Sequence, residues 1–292
     1  MRRAVPVVVA LAGLLLLAAC GGAPASGPGS GPPAGPSAEK SLILATTTST
    51  QDSGLLDVLL PEFTRASGWQ VKTLAVGSGQ ALELGRRGEA DVLLVHSPAA
   101  EEKFLAEGTA GDRLLVMHND FVLVGPEADP AGIRGLGSVE AMRRIAAAQA
   151  VFVSRGDDSG TNAREKDLWA KAGVTPGGPW YQSTGQGMGA TLRVAGEKQG
   201  YTLSDRATYL AQRDTLPSTI LSEGDPGLLN VYHVIEMTQR AGDRVQSQGA
   251  AAFAEWIVSP PAQELIGRFG KERFGQPLFT PDAGKDEATV GG

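Results

Sequence analysis

From about position 40 onward the chain alternates short apolar runs with segments of helical period. Leu42-Ile43-Leu44-Ala45 reads as a buried strand. Leu55, Leu56, Leu59 and Phe63 then fall on one face of a helix that Gly68 closes. Val71 to Val76 is the next strand, followed by Gly77-Ser78-Gly79, a helix through about Arg87, and the strand Val92-Leu93-Leu94-Val95. This order predicts a βαβαβ unit, hence a largely parallel sheet with right-handed crossovers. A longer strand-like run covers Leu114 to Val124 and leads into the loop signal Gly125-Pro126. A second series follows, with a helix around Val139 to Ala148, the strand Val151 to Val153 and a helix from about Asn162 to Ala172. Loops and a helix lead on to the strand Asn230 to Ile235. The remainder is mainly helical, including Ala250 to Val258 and a helix through Phe269 with Ser259 as N-cap and Pro260 at its first position. The pattern predicts an α/β protein of two lobes, the second inserted into the first, with a loose tail after Pro281.

The opening segment breaks this pattern. Arg2 and Arg3 precede an uncharged, mostly apolar stretch from Ala4 to Ala19. That is shorter than the roughly 20 residues a bilayer-spanning helix needs, and its basic front and small-residue exit are those of a secretory signal; a retained membrane anchor is the alternative. Leu17-Ala18-Ala19-Cys20 resembles the bacterial lipobox, which implies a lipid on Cys20 after cleavage. Residues 21–38 hold six Gly, five Pro, four Ala, three Ser and nothing else. Without large apolar side chains they cannot offset their ordering entropy, so 20–39 is expected to be a tether between lipid and domain.

Composition narrows the chemistry. The 292 residues carry 26 Lys plus Arg against 32 Asp plus Glu, a net charge of −6. An acidic chain argues against a nucleic-acid binder and means that any captured anion must be held by local donors. One Cys rules out an internal disulfide framework, and three scattered His make a zinc cluster improbable.

Three turns are rich in such donors. Thr46-Thr47-Thr48-Ser49-Thr50 follows the first strand, where exposed N–H groups point into the crevice at the strand's carboxyl end. Gly77-Ser78-Gly79 repeats the arrangement after the second strand, the glycines allowing close backbone approach. Ser154-Arg155-Gly156-Asp157-Asp158-Ser159-Gly160-Thr161 joins a fixed guanidinium to hydroxyls and N–H groups at a helix start, a set that can surround a tetrahedral oxyanion. The plainer alternatives are ordinary helix caps for the Thr and Ser residues, and an Arg155 paired with Asp157 or Asp158 on a solvated loop. Gly185-Gln186-Gly187-Met188-Gly189 is either a fourth donor loop or a hinge, and Asp205 serves as a helix cap.

These turns, in this order and with the ending Phe269-Gly270-Lys271 to Phe279, resemble the tungstate-binding proteins of bacterial ABC importers. The resemblance implies the type II periplasmic-binding-protein fold, two parallel-sheet-based lobes joined by two crossover segments. Lobe 1 would comprise 40–122 and 234–283, lobe 2 123–233, with 284–292 a flexible tail. It implies that Thr47, Thr48, Ser49 and Ser78 donate from the first lobe and that Arg155, Ser159, Gly160 and Thr161 act from the second. It further implies an extracytoplasmic solute receptor, periplasmic or on the outer face of the membrane, that is a monomer, needs no cofactor and delivers to permease and ATPase subunits; molybdate, nearly the same in shape and charge as tungstate, is an alternative ligand. The Arg-to-Thr spacing also resembles phosphate receptors, so the motif says oxyanion without saying which. An inward carboxylate from Asp52, Asp157 or Asp158 would favour phosphate, which keeps a proton needing an acceptor. A hydrolase is the rival class. His96, His118 and His233 are the His available to it, and no nucleophile elbow or metal-ligand pair accompanies them.

Overall fold

A computed structural model describes residues 40–291. The signal peptide expected at 1–19, Cys20 and the tether to 39 lie outside the described residues. Strands β1 (Ser41–Thr47), β2 (Gln70–Val76) and β3 (Val92–Val95) run parallel with β1 in the middle. A short helix α1 (Thr48–Asp52) leaves β1 directly, and α2 (Leu55–Ser67) and α3 (Ser78–Arg86) make the crossovers. The buried face of α2 is Leu55, Leu56, Leu59 and Phe63, the apolar period read from the sequence, and Gly68 ends the helix at φ 75°. Because the three strands are parallel, their carboxyl ends deliver the Thr47 turn, the Gly77 turn and His96 to one edge of the sheet.

After α4 (Pro98–Leu105) comes the 16-residue β4 (Ala110–Gly125). The second half then contributes α5 (Ser138–Ala148), β5 (Phe152–Ser154), α6 (Gly160–Ala172), β6 (Tyr181–Ser183), α7 (Met188–Glu197), β7 (Thr202–Asp205), α8 (Arg206–Gln212) and β8 (Thr219–Ser222). The chain returns through β9 (Leu229–Met237) and finishes with α9 (Ser247–Ile257), α10 (Pro260–Arg268), α11 (Lys271–Phe274) and β10 (Thr280–Pro281). The α/β class is as expected, and parallel pairing holds for β1–β3 and for β5 with β6. The long strands depart from it. β9 pairs antiparallel with both β3 and β4, giving the sheet order β10-β4-β9-β3-β1-β2. The last residues of β4 pair antiparallel with β7 and β8 instead. A chain that leaves along β4 and comes back along β9 must run the two past each other. At the crossing Asn230 Nδ2 donates to Asn119 Oδ1 at 2.8 Å.

Two apolar clusters frame that crossing. One gathers Leu44, Phe63, Val92, Tyr232 and Phe253, the other Phe121, Met142, Phe152, Trp169 and Tyr201. Ser259 holds the N-cap position of α10 as predicted, but its hydroxyl donates back to the Trp256 carbonyl at 2.6 Å, serving the end of α9. The tail expected to be flexible from 284 is held. Glu287 faces Arg113 at 3.1 Å and His233 at 3.3 Å, and Val290 is buried. The Arg113 ion pair, the His233 contact and the buried Val290 offset the chain entropy that polar composition alone would leave free.

Candidate functional site

The third donor turn is the most firmly built. Ser154 at the end of β5 donates to the buried Glu165 of α6 at 2.7 Å, and Glu165 also accepts from Tyr181 Oη at 2.7 Å and Trp169 Nε1 at 3.2 Å. This network ties strand end and helix start together. Burial raises the Glu165 pKa against the pull of these donors. Between the anchors the backbone reverses through Gly156 at φ 61° and Asp158 at φ 54°. Gly156 is required there, since a Cβ would fall 1.6 Å from Ser183 Oγ. The result is an Arg155 side chain only 1% exposed at the mouth of α6.

The other turns close on it. Arg155 Nη2 donates to Thr48 Oγ1 at 3.0 Å, linking the first and third turns across 107 residues. A Cβ on Gly77 would lie 3.2 Å from Ser159 Cα, and one on Gly79 3.1 Å from the Asp158 carbonyl, so the second turn packs directly on the third. A Cβ on Gly187 would meet Thr48 Cβ at 3.1 Å, which brings the Gly185–Gly189 loop and the start of α7 to the same place. The starts of α3, α6 and α7 therefore converge, each presenting N–H groups and the positive end of its dipole.

The hydroxyls divide into two kinds. Thr47 and Ser159 act as N-caps, accepting from the N–H groups of Thr50 and Asn162, both at 3.2 Å. For these two the plainer reading holds alongside the binding one. Ser78 Oγ, Thr161 Oγ1, and Arg155 Nε and Nη1 are buried without a hydrogen-bond partner among the described residues. Buried donors left so are costly, and four of them in contacting turns is a donor set matched to a ligand that offers only acceptors. Gly160 begins α6 directly against His96.

The three carboxylates in question take different places. Asp158 is exposed and pairs with Lys166 at 2.6 Å. Asp52 accepts from the Gly189 N–H at 3.2 Å, and burial raises its pKa. Asp157 does turn toward Arg155, accepting from Nη2, and its other oxygen accepts from the Ser159 N–H at 3.3 Å. Arg155 is thus paired, as the plainer reading expected, yet it is buried and keeps two nitrogens free.

Two further residues belong to this neighbourhood. His96 is buried, packs against Tyr232 with centroids 4.7 Å apart and the rings tilted by 34°, and lies 3.3 Å from Ser49 Oγ through Nε2. Burial, reinforced by the charge of Arg155, pushes its pKa down to about 4, so it is a neutral ring and not a base held ready by an acid. Asp205 caps α8 through the Thr208 N–H at 2.9 Å, as expected, while its Oδ2 is buried and unpartnered; burial pushes its pKa up to about 6. Thr208 Oγ1 in turn donates to the Ser49 carbonyl at 3.2 Å, joining α8 to the first turn. Sequence reading could flag His96 only as a candidate catalyst, because its neighbours come from α1, β9 and α6.

Comparison with known proteins fits this construction. A model described as a PBP superfamily domain matches residues 22–261. The chain belongs to this superfamily. Within it, the tungstate-binding protein TupA of Peptoclostridium acidaminophilum is 49% identical over 288 residues, 98% of this chain and 100% of that protein. A crystal structure of the tungstate ABC transporter from Geobacter sulfurreducens superposes with TM-score 0.73 at 43% identity, covering 80% of this chain and 100% of that one. The tungstate-binding protein TupA from Desulfovibrio alaskensis gives 0.68 at 46% identity, covering 84% and 99%. The family resemblance carried by the donor turns is therefore borne out, and these relatives are named as binding or transport proteins.

Proposed function

We propose that the chain is an extracytoplasmic receptor that captures tungstate and passes it to the permease and ATPase subunits of an ABC importer, without reacting with it. One observation carries the reading: Ser78 Oγ, Thr161 Oγ1 and two nitrogens of Arg155 are buried and unpartnered where three turns meet. A dianion loses its hydration on entering such a site, and only donors on every side with a compensating cation make that transfer favourable. Arg155 supplies the charge, while Thr47, Thr48, Ser49, Ser78, Ser159, Gly160 and Thr161 supply neutral donors. In this reading residues 40–122 with 234–283 form one lobe and 123–233 the other. β4 and β9 act as the hinge, and closure brings Arg155 to Thr48. The receptor works as a monomer held to the membrane by a lipid on Cys20. The names of the relatives support tungstate as the ligand.

Asp157 beside Arg155 favours a second reading, hydrogen phosphate, whose proton would need such an acceptor. Thermal shift with tungstate, molybdate, sulfate, phosphate and a carboxylate separates the two. The proposal expects stabilisation by tungstate, and a response to phosphate alone would replace it. In calorimetric titration Arg155→Ala should weaken tungstate binding at least about a hundredfold, since it removes charge-assisted bonds from a buried site. Unchanged affinity would remove Arg155 from the site.

A further inference from the structure

Proximity of Ser49 to an anion does not decide where its hydrogen points. Each hydroxyl has one hydrogen to give. Thr47 Oγ1 lies 2.7 Å from Thr50 Oγ1 and 3.0 Å from Ser49 Oγ, and Ser49 Oγ lies 3.3 Å from His96 Nε2. If Nε2 lacks a hydrogen, Ser49 donates to it and offers the ligand a lone pair. If Nε2 carries one, Ser49 accepts from the ring and its own hydrogen is released from His96, free to turn to the ligand or to Thr47 Oγ1. We propose that His96 is a positioning residue whose Nε2–H donates to Ser49, turning the Ser49 hydrogen toward the bound oxyanion and making this wall of the site donor-only. The proposal rests on the oxyanion reading above.

The surroundings of the opposite nitrogen favour one tautomer. His96 Nδ1 is buried, has no partner among the described residues, and sits against the first turn of α6, where a Cβ on Gly160 would lie 2.7 Å from it. The start of this 13-residue helix presents unpaired N–H groups and a partial positive charge. A lone pair on Nδ1 is favoured in that field and an N–H there is opposed, so the single proton goes to Nε2. Burial, Arg155 and Arg164 oppose a second proton and outweigh Glu101 and the Asn230 side chain, which favour one, so the ring stays neutral. The Tyr232 ring packs against it at a tilt of 34°. A donor-only wall suits a fully deprotonated ion and disfavours one that keeps a proton.

Long-range nitrogen–proton NMR on the 15N-labelled protein reads the tautomer. The expected result is a His96 ring protonated on Nε2 alone from pH 8 down to pH 5. A proton on Nδ1, or a ring titrating near the ordinary value of about 6.5, overturns the proposal. Calorimetry with sodium tungstate supplies the functional arm. His96→Leu should weaken binding about tenfold, and His96→Gln, whose amide can donate near the Nε2 position, should recover part of that loss. Wild-type affinity in a folded His96→Leu protein also overturns it. If the unaltered protein binds no oxyanion, the parent reading falls and takes this one with it. Oxyanion binding with the wrong tautomer defeats this inference alone.

Discussion

Ser78 Oγ is buried without a partner among the described residues, and in the proposed reading the ligand offsets that cost. Ser78→Ala should therefore leave the free protein as stable as before, or more stable by up to about 1 kcal/mol, while weakening tungstate binding about tenfold. Paired melting and titration check it, and a loss of stability with unchanged affinity would assign Ser78 to the fold instead. Asp205 makes a pH prediction. Its folded pKa of about 6 lies above the unfolded value of about 3.9, so its contribution to stability is full below the latter and is lost as pH rises through the former. Asp205→Asn keeps the cap and should melt higher than wild type above pH 6 with no gain at pH 4; parallel melting curves would contradict this. His96 slopes the other way, contributing above about 6.5 and losing that as pH falls through about 4. Arg155, Ser78 and Thr161 were legible in the sequence because glycine-flanked turns at strand ends announce themselves. The cap role of Asp205 was legible too, since its partner Thr208 is local, but the role of His96 was not, because it depends on neighbours brought from distant segments.

At the scale of elements, the site exists because α6 starts on top of the end of β3. A Cβ on Gly160 would meet the His96 carbonyl oxygen at 2.8 Å as well as the ring, and backbone cannot swing aside as a flexible side chain could. Gly160→Ala should destabilise by about 1–3 kcal/mol through overpacking, although alanine is the better helix former, and should weaken tungstate binding with it. Urea unfolding checks the sign, and a stabilised variant would mean that α6 does not press on His96. The strands β1, β2 and β3 and helices α2, α3, α5 and α6 were readable from period and punctuation. The four-residue β8 was missed because Thr219 and Ser222 flank only two apolar residues, whereas the equally short β3 is apolar throughout, and α4 because Glu101, buried inside it, faces Arg113 and His233.

Across the whole molecule, β4 and β9 do two jobs that no local pattern discloses. They complete the sheet of β1–β3, and they carry the chain to and from the half that bears Arg155. Their antiparallel pairing follows from that round trip, which is why a series of strand–helix alternations suggested a more uniformly parallel sheet. The account stands on donors from separate turns meeting around one ion. Anomalous diffraction from crystals grown with tungstate locates the tungsten directly. The ion should sit within hydrogen-bond reach of Ser78 Oγ, Thr161 Oγ1 and the free nitrogens of Arg155. Tungsten bound elsewhere, or Arg155 turned away from it, would contradict the account.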